Sequence, residues 1–189
     1  MLDLIDHWDK SFVALINQLH TPFGDVLMYW TSEKLTWIPF YLLLIVLLIK
    51  NFGWSTLYYL VAIALTITLA DQLTSSFMKP FFARLRPCHS PDLPNLLLPA
   101  GCGGSFGFAS SHAANTFGLA MLISLIFSKV YRYVGLMFLW ASFVSFSRVY
   151  LAAHYFTDVL VGACLGIGIG WCVWKLLQFV FRKIAPKSS

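Results

Sequence analysis

From Leu35 to Ile49 the chain runs without a charged side chain, and further apolar stretches follow at 54–73, 110–128, 133–150 and 156–178. In hydrocarbon a segment must satisfy its own backbone hydrogen bonds, so runs of this kind become transmembrane helices. A span takes about 20 residues. Several of these stretches are shorter, and interfacial residues must complete them. Trp37, Trp54, Trp171 and Trp174 lie near the proposed ends, where indole rings favour the headgroup layer. Composition removes the alternatives. The chain is 59% hydrophobic and 11% charged, against roughly 45–50% and about 25% for a soluble domain. Too little polar surface remains to coat a soluble globule, which excludes a cytosolic enzyme, a disordered chain and a disulfide-stapled miniprotein. The apolar residues come in runs and not in alternation, which argues against a β-barrel. The expected fold is all-α: one domain over 1–189, a polytopic transmembrane helical bundle of about five spans with an N-terminal interfacial region at 1–34.

Within that region Ile5, Trp8, Phe12, Leu15, Ile16 and Leu19 recur at helical spacing, opposite Asp3, Asp6, His7, Lys10 and Asn17. This pattern fits a helix in the membrane interface and equally an extramembrane helix packed on its own bundle. Three Asp and no unbroken apolar centre argue against a signal peptide. Thr21-Pro22 and Gly24-Asp25 signal a turn. The long loop at 80–109 holds five of the eight prolines and Gly101, Gly103, Gly104 and Gly107. A long connection between membrane helices is a place for function.

Five spans place Lys50, Lys129, Arg132, Lys175, Arg182, Lys183 and Lys187 on one side, and Lys10, Lys34, Lys79, Arg84, Arg86 and Arg148 on the other. Lys79, Arg86 and Arg148 belong to a cluster that holds them in place. Without them the positive-inside rule puts the C-terminal tail in the cytoplasm and the long loop outside.

Three segments then meet at the outer side: Lys79 to Arg86-Pro87, Ala109-Ser110-Ser111-His112, and Ser147-Arg148 with His154 and Asp158. Ionisable groups at a membrane edge are costly and usually functional. Lys79, Arg86 and Arg148 match the charge of a phosphate, with Arg giving bidentate hydrogen bonds and Lys a point charge. Ser110 and Ser111 open a helix, where free N–H groups attract anions. His154 and Asp158 are four residues apart and share a face if that stretch is helical. A carboxylate on one ring nitrogen makes the other a better nucleophile. His112 is free to act as a general acid. Such a set suits metal-independent phosphoryl transfer. Each group alone has a plainer reading: Arg86 an interfacial anchor, His112 a cap, His154–Asp158 a local helix pair, Arg148 a snorkelling side chain. Convergence from three chain positions favours the site.

These segments resemble the signature of the type 2 phosphatidic acid phosphatase family, which shares its site with vanadium haloperoxidases and glucose-6-phosphatase. Lys79, Arg86 and Pro87 match its first motif, and Ser147, Arg148, His154 and Asp158 its third. Ser110 and His112 match the second, where Ala109 stands for Pro and Ser111 for Gly. The resemblance implies His154 as the nucleophile of a phosphohistidine intermediate, Asp158 as its orienter and His112 as the acid. Lys79, Arg86, Ser110, Ser111 and Arg148 would bind the phosphoryl oxygens. The implied enzyme is a lipid phosphate or diphosphate phosphatase at the outer face of a membrane, such as the bacterial inner membrane. It would need no metal, cofactor or nucleic acid. Candidate substrates are undecaprenyl diphosphate, phosphatidylglycerol phosphate, phosphatidic acid and a lipid A phosphate, with a preference for polyprenyl diphosphates. Two other readings stand beside it: a vanadate-dependent haloperoxidase, and a non-enzymatic lipid-headgroup binding or transport protein.

Cys88 and Cys102 lie in the outward loop, where either a disulfide or two reduced, buried thiols fit. Cys164 and Cys172 are read as packing residues. Gly162, Gly166 and Gly170 allow close helix approach, within the bundle or across a dimer. Asp71 is read as supporting the cations or capping a polar contact, and Arg84 as binding phosphate or facing headgroups. His7, His20 and His89 carry no partner pattern.

Overall fold

A computed structural model describes residues 2–184. Lys187 and the rest of the C-terminal tail, used above for the orientation, lie outside the described residues. The described chain is helical. Helix α1 spans Leu2–Asn17, α2 Pro22–Ser32, α3 Ile38–Phe52 and α4 Thr56–Asp71. A π-helical turn at Gln72–Met78 leads into the short α5 at Lys79–Phe82. Then follow α6 at Ser111–Phe127, α7 at Met137–Tyr150 and α8 at Phe156–Ile184. Two stretches, Lys34–Phe82 and Phe156–Lys183, are apolar and long enough to cross a membrane by length and composition. The first is broken at Gly53, whose φ of +51° few other residues adopt. The apolar helices Ser111–Phe127 and Val134–Tyr150 are shorter. Length alone therefore marks two stretches, where the hydropathy pattern suggested five.

The bundle is built on α6, which packs chiefly on α8 and then on α7 and α4. The glycine stripe explains the first contact. A Cβ at Gly162, Gly166 or Gly170 would collide with the carbonyl oxygen of Ser110, Ala114 or Gly118 respectively. Both helices thus repeat small groups every four residues and approach backbone to backbone. That glycine face is occupied within the chain, so the dimer alternative for it falls away. Leu48, Leu122, Ile123 and Phe127 are buried in the core beside these helices.

The outer surface is apolar. Leu42, Leu43, Val46 and Ile49 on α3, Leu57, Val61 and Leu65 on α4, and Leu160, Leu176 and Phe179 on α8 are exposed. Exposed apolar residues on these helices suit lipid as solvent. Helix α1 shows the same inversion. Its Asp9 is fully buried with Val13 against the bundle, while Leu4, Trp8 and Leu15 point away. Helix α1 packs on its own bundle and turns an apolar face outward. Trp54 is 97% exposed at the α3–α4 turn. Trp37 instead turns inward, edge-on to Trp140, and donates to the Thr31 carbonyl. Cys164 and Cys172 are exposed, not packed inside as expected.

Candidate active site

The end of α5 starts the site. Ala83 takes a left-handed φ of +46° and turns the chain out of the helix. The following loop folds back on itself. Arg86 N–H donates to the Ser105 carbonyl at 3.0 Å and Gly107 N–H to the Arg84 carbonyl at 2.9 Å. Cys88 is joined to Cys102 with Cα atoms 5.9 Å apart. Cys88 N–H also donates to the Ala152 carbonyl. These contacts lay the loop against the segment between α7 and α8.

A cavity of about 510 Å3 opens where these elements meet. Lys79, Arg86, Ser111, His112, Arg148 and His154 all line it. Lys79 Nζ donates to Ser111 Oγ at 2.8 Å and to Ser75 Oγ at 3.4 Å. Arg86 Nη1 donates to the Ala153 carbonyl at 3.1 Å, while its Nε has no partner. Arg148 donates to Ser32 Oγ, and its Nε is also unpaired. Buried guanidinium N–H groups without partners are costly and await an acceptor. Below this polar end the wall becomes apolar, with Leu44, Leu48, Leu60, Ile63 and Leu119. From His112 to Leu119 the rise along α6 is about 10 Å.

His154 is 1% exposed. Its Nδ1 lies 3.6 Å from Asp158 Oδ2 and has no hydrogen-bond partner. Asp158 is fully buried. Its Oδ2 accepts from Tyr155 N–H at 3.1 Å and its Oδ1 from Arg84 Nη1 at 2.8 Å. Burial pushes the imidazole of His154 down to about 4. Asp158 opposes that shift, while Arg86 and Arg148 reinforce it. The resting ring is therefore neutral, with a lone pair free to attack an electrophile. Gly107 makes the close packing possible: a Cβ there would stand 3.0 Å from Asp158 Oδ2 and 3.5 Å from His154 Nδ1.

Two sequence-predicted residues stand apart. Ser110 is fully buried, and its hydroxyl caps α6 by accepting from Ala113 N–H at 3.5 Å. Its own N–H donates to the Asp158 carbonyl, so the residue frames the site without lining the cavity. Arg84 does not line the cavity. It is bound to Asp158, Asp9, Asp6 and Thr157. Asp71 does line the cavity and accepts from Ser75 Oγ at 3.3 Å.

Sequence reasoning missed other contributors. Lys34, exposed in the short turn before α3, adds a fourth cation to the cavity wall. No motif marked it. His20 sits between Asp25, 2.5 Å from its Nδ1, and the Tyr150 carbonyl, 3.1 Å from its Nε2. It ties the α1–α2 turn to the end of α7. Its partner Asp25 is only five residues away, which was the one available signal.

Known proteins bear on this arrangement. The profile of the PAP2 superfamily matches residues 55–182. The chain is 38% identical to a lipid A 4'-phosphatase of Bacteroides thetaiotaomicron, over 99% of this chain and 83% of that one. It is 33% identical to a lipid A 4'-phosphatase of Porphyromonas gingivalis, over 90% of this chain and 73% of that one. Its fold is similar to the crystal structure of a transmembrane PAP2 type phosphatidylglycerolphosphate phosphatase from Bacillus subtilis. That superposition has a TM-score of 0.68 and 22% identity, covering 97% of this chain and 89% of the other. With the family profile covering more than half of its length and three motifs meeting in one cavity, the chain belongs to the PAP2 superfamily.

Proposed function

We propose that this protein is a membrane lipid phosphatase that hydrolyses a lipid phosphate or diphosphate through a phosphohistidine on His154. The observation that carries the reading is the two-part cavity. Its polar end gathers Lys79, Arg86, Arg148, Ser111, His112 and His154, and its apolar wall runs on into the bundle. An amphiphile with a phosphate head and a hydrocarbon tail fits both parts at once.

The cations and the Ser111 segment bind the phosphoryl oxygens. His154 Nε2 attacks phosphorus, and the bond from phosphorus to the lipid oxygen breaks. His112 gives its proton to that leaving oxygen. Asp158 then stabilises the charge on the phosphorylated ring through Nδ1–H. In the second step His112 takes a proton from water, the water oxygen attacks phosphorus, and inorganic phosphate leaves with His154 restored. Positioning and charge stabilisation supply the catalysis, as phosphoryl transfer requires. Ser110 acts indirectly, by fixing the start of α6.

Among substrates, the two relatives named lipid A 4'-phosphatase favour a lipid A phosphate over the polyprenyl diphosphates preferred from chain size. For topology, α3, α4 with α5, α6, α7 and α8 serve as five spans of a bacterial inner membrane. The site then faces the periplasm and the C-terminus the cytoplasm. The whole chain acts as one unit.

Release of inorganic phosphate from lipid A, undecaprenyl diphosphate, phosphatidylglycerol phosphate and phosphatidic acid tests the reading, with His154→Ala as control. Release from lipid A, lost in His154→Ala, supports it. Headgroup binding without release would instead favour a carrier, and halide oxidation with vanadate a haloperoxidase.

A further inference from the structure

Asp9 is a fully buried carboxylate on α1, far in sequence from every motif of the site. Its Oδ2 accepts from Arg84 Nη2 at 2.8 Å, and its Oδ1 from Thr157 N–H at 3.1 Å. Thr157 Oγ1 donates to the same carboxylate and accepts from Arg84 Nη1 at 2.9 Å. The other arm of Arg84 reaches Asp158 Oδ1 at 2.8 Å, and its plane lies 4.1 Å over the Tyr155 ring. A buried carboxylate is tolerated only with a paired charge. Here one guanidinium serves two of them, Asp9 from α1 and Asp158 from α8.

We propose that Asp9 and Arg84 are positioning residues that hold the Asp158 carboxylate in register with His154, so that α1, outside the family-matched segment, completes the catalytic centre. The inference rests on the roles given above to His154 and Asp158. The geometry divides Asp158 into two functions. Oδ1 is taken by Arg84, and Oδ2 is left facing His154 Nδ1. Rotation of the carboxylate would require breaking the Arg84 contact. Arg84 in turn is held by Asp9, Thr157 and Tyr155, so its fork has little freedom.

The charge count adds a second effect. Asp6, 3.3 Å from Arg84, is balanced by Lys10 at 2.5 Å, so Asp9, Arg84 and Asp158 leave one net negative charge, which favours a positive imidazole ring. Without Asp9 the group is neutral, and His154 then faces Arg86 from the loop, Arg148 from α7 and His112 from α6 with less opposing charge. Removing Asp9 therefore disfavours the protonated ring and the phosphorylated one alike.

The full-length protein in detergent tests this with Asp9→Asn and Asp9→Glu. We expect Asp9→Asn to lower kcat about tenfold with KM unchanged, a barrier change of about 1.4 kcal/mol. The acid limb of its pH profile moves to lower pH, and Asp9→Glu restores most of the rate. Nitrogen-15 NMR of the His154 ring reads the same shift without turnover. Lack of lipid phosphatase activity in the unaltered protein would thus overturn the proposed function and leave the positioning role decided by NMR. An unmoved limb and an unmoved ring titration in Asp9→Asn would overturn the positioning role, whatever the loss of rate. Should Asp9→Asn fail to fold, Thr157→Val removes one anchor of Asp9 and is judged by the same limb and titration.

Discussion

His154 Nδ1 and Asp158 Oδ2 stand 3.6 Å apart, close enough for strong electrostatic coupling but beyond hydrogen-bond length. The pair is open in the resting site. On the proposed mechanism, the positive charge that forms on the ring when Nε2 takes up phosphorus pulls the ring toward the carboxylate that Arg84 holds in place. Asp158 then matters mainly to the reacting state.

Asp158→Asn tests that statement. The amide keeps the shape but loses the charge and favours the wrong ring tautomer. Expected is a loss of kcat of about 10^4-fold, the size seen when a histidine loses its orienting carboxylate. KM for the lipid phosphate should change little. Steady-state kinetics in mixed micelles separate the two parameters.

The pH profile follows from the burial of His154. Its ring titrates well below the ordinary imidazole value of about 6.5. The neutral, nucleophilic form is therefore complete above that lowered value and is lost only as pH falls through it. The acid limb of kcat/KM should lie clearly below the ordinary value. A limb at the ordinary value would mean that the working ring is solvated.

Gly166→Leu probes the α6–α8 contact. The new Cβ meets the Ala114 carbonyl and Gly118. Overpacking of this kind costs about 1–3 kcal/mol or more. The variant should show a lower Tm and lose activity, whereas the same change at Gly168, where a Cβ meets nothing, should be neutral.

Cys88→Ser cuts the loop closed by the bond to Cys102. For a sequence separation of 14 the expected loss is about 3 kcal/mol, on the chain-entropy account. Thiol titration under denaturing, non-reducing conditions should find only Cys164 and Cys172 free in the unaltered chain.

Lys34→Gln examines the fourth cation of the cavity wall. Its exposure makes it a rim charge, which steers an anionic headgroup more than it stabilises the reacting phosphoryl group. KM should rise about threefold with kcat unchanged, and the difference should shrink in high salt.

The chemistry-bearing residues were legible because charge is scarce in this chain. Lys79, Arg86, His112, Arg148 and His154 stood out from apolar runs, and all five line one cavity. Their support was harder to read. Asp9 sits among polar residues of an amphipathic helix, and periodicity does not say whether the polar face meets water or protein. Here Asp9 meets protein, while Asp3 and His7 on the same helix are exposed. Arg84 lies two residues from Arg86 and reads from the sequence as binding phosphate or facing headgroups, yet it stays out of the cavity lining and binds Asp158, Asp9 and Thr157. Helix ends were blurred for a similar reason. Lys79 continues the helical path of α4 through a π turn, where a pattern of hydrophobic residues alone suggested an exit.

The most direct test is to trap the covalent intermediate. Protein given phosphorus-32-labelled lipid phosphate and quenched in alkali, where phosphohistidine survives, should carry label on the peptide containing His154, and His154→Ala should carry none. Phosphate release by the unaltered protein with no label on His154, or full turnover by His154→Ala, would contradict the mechanism.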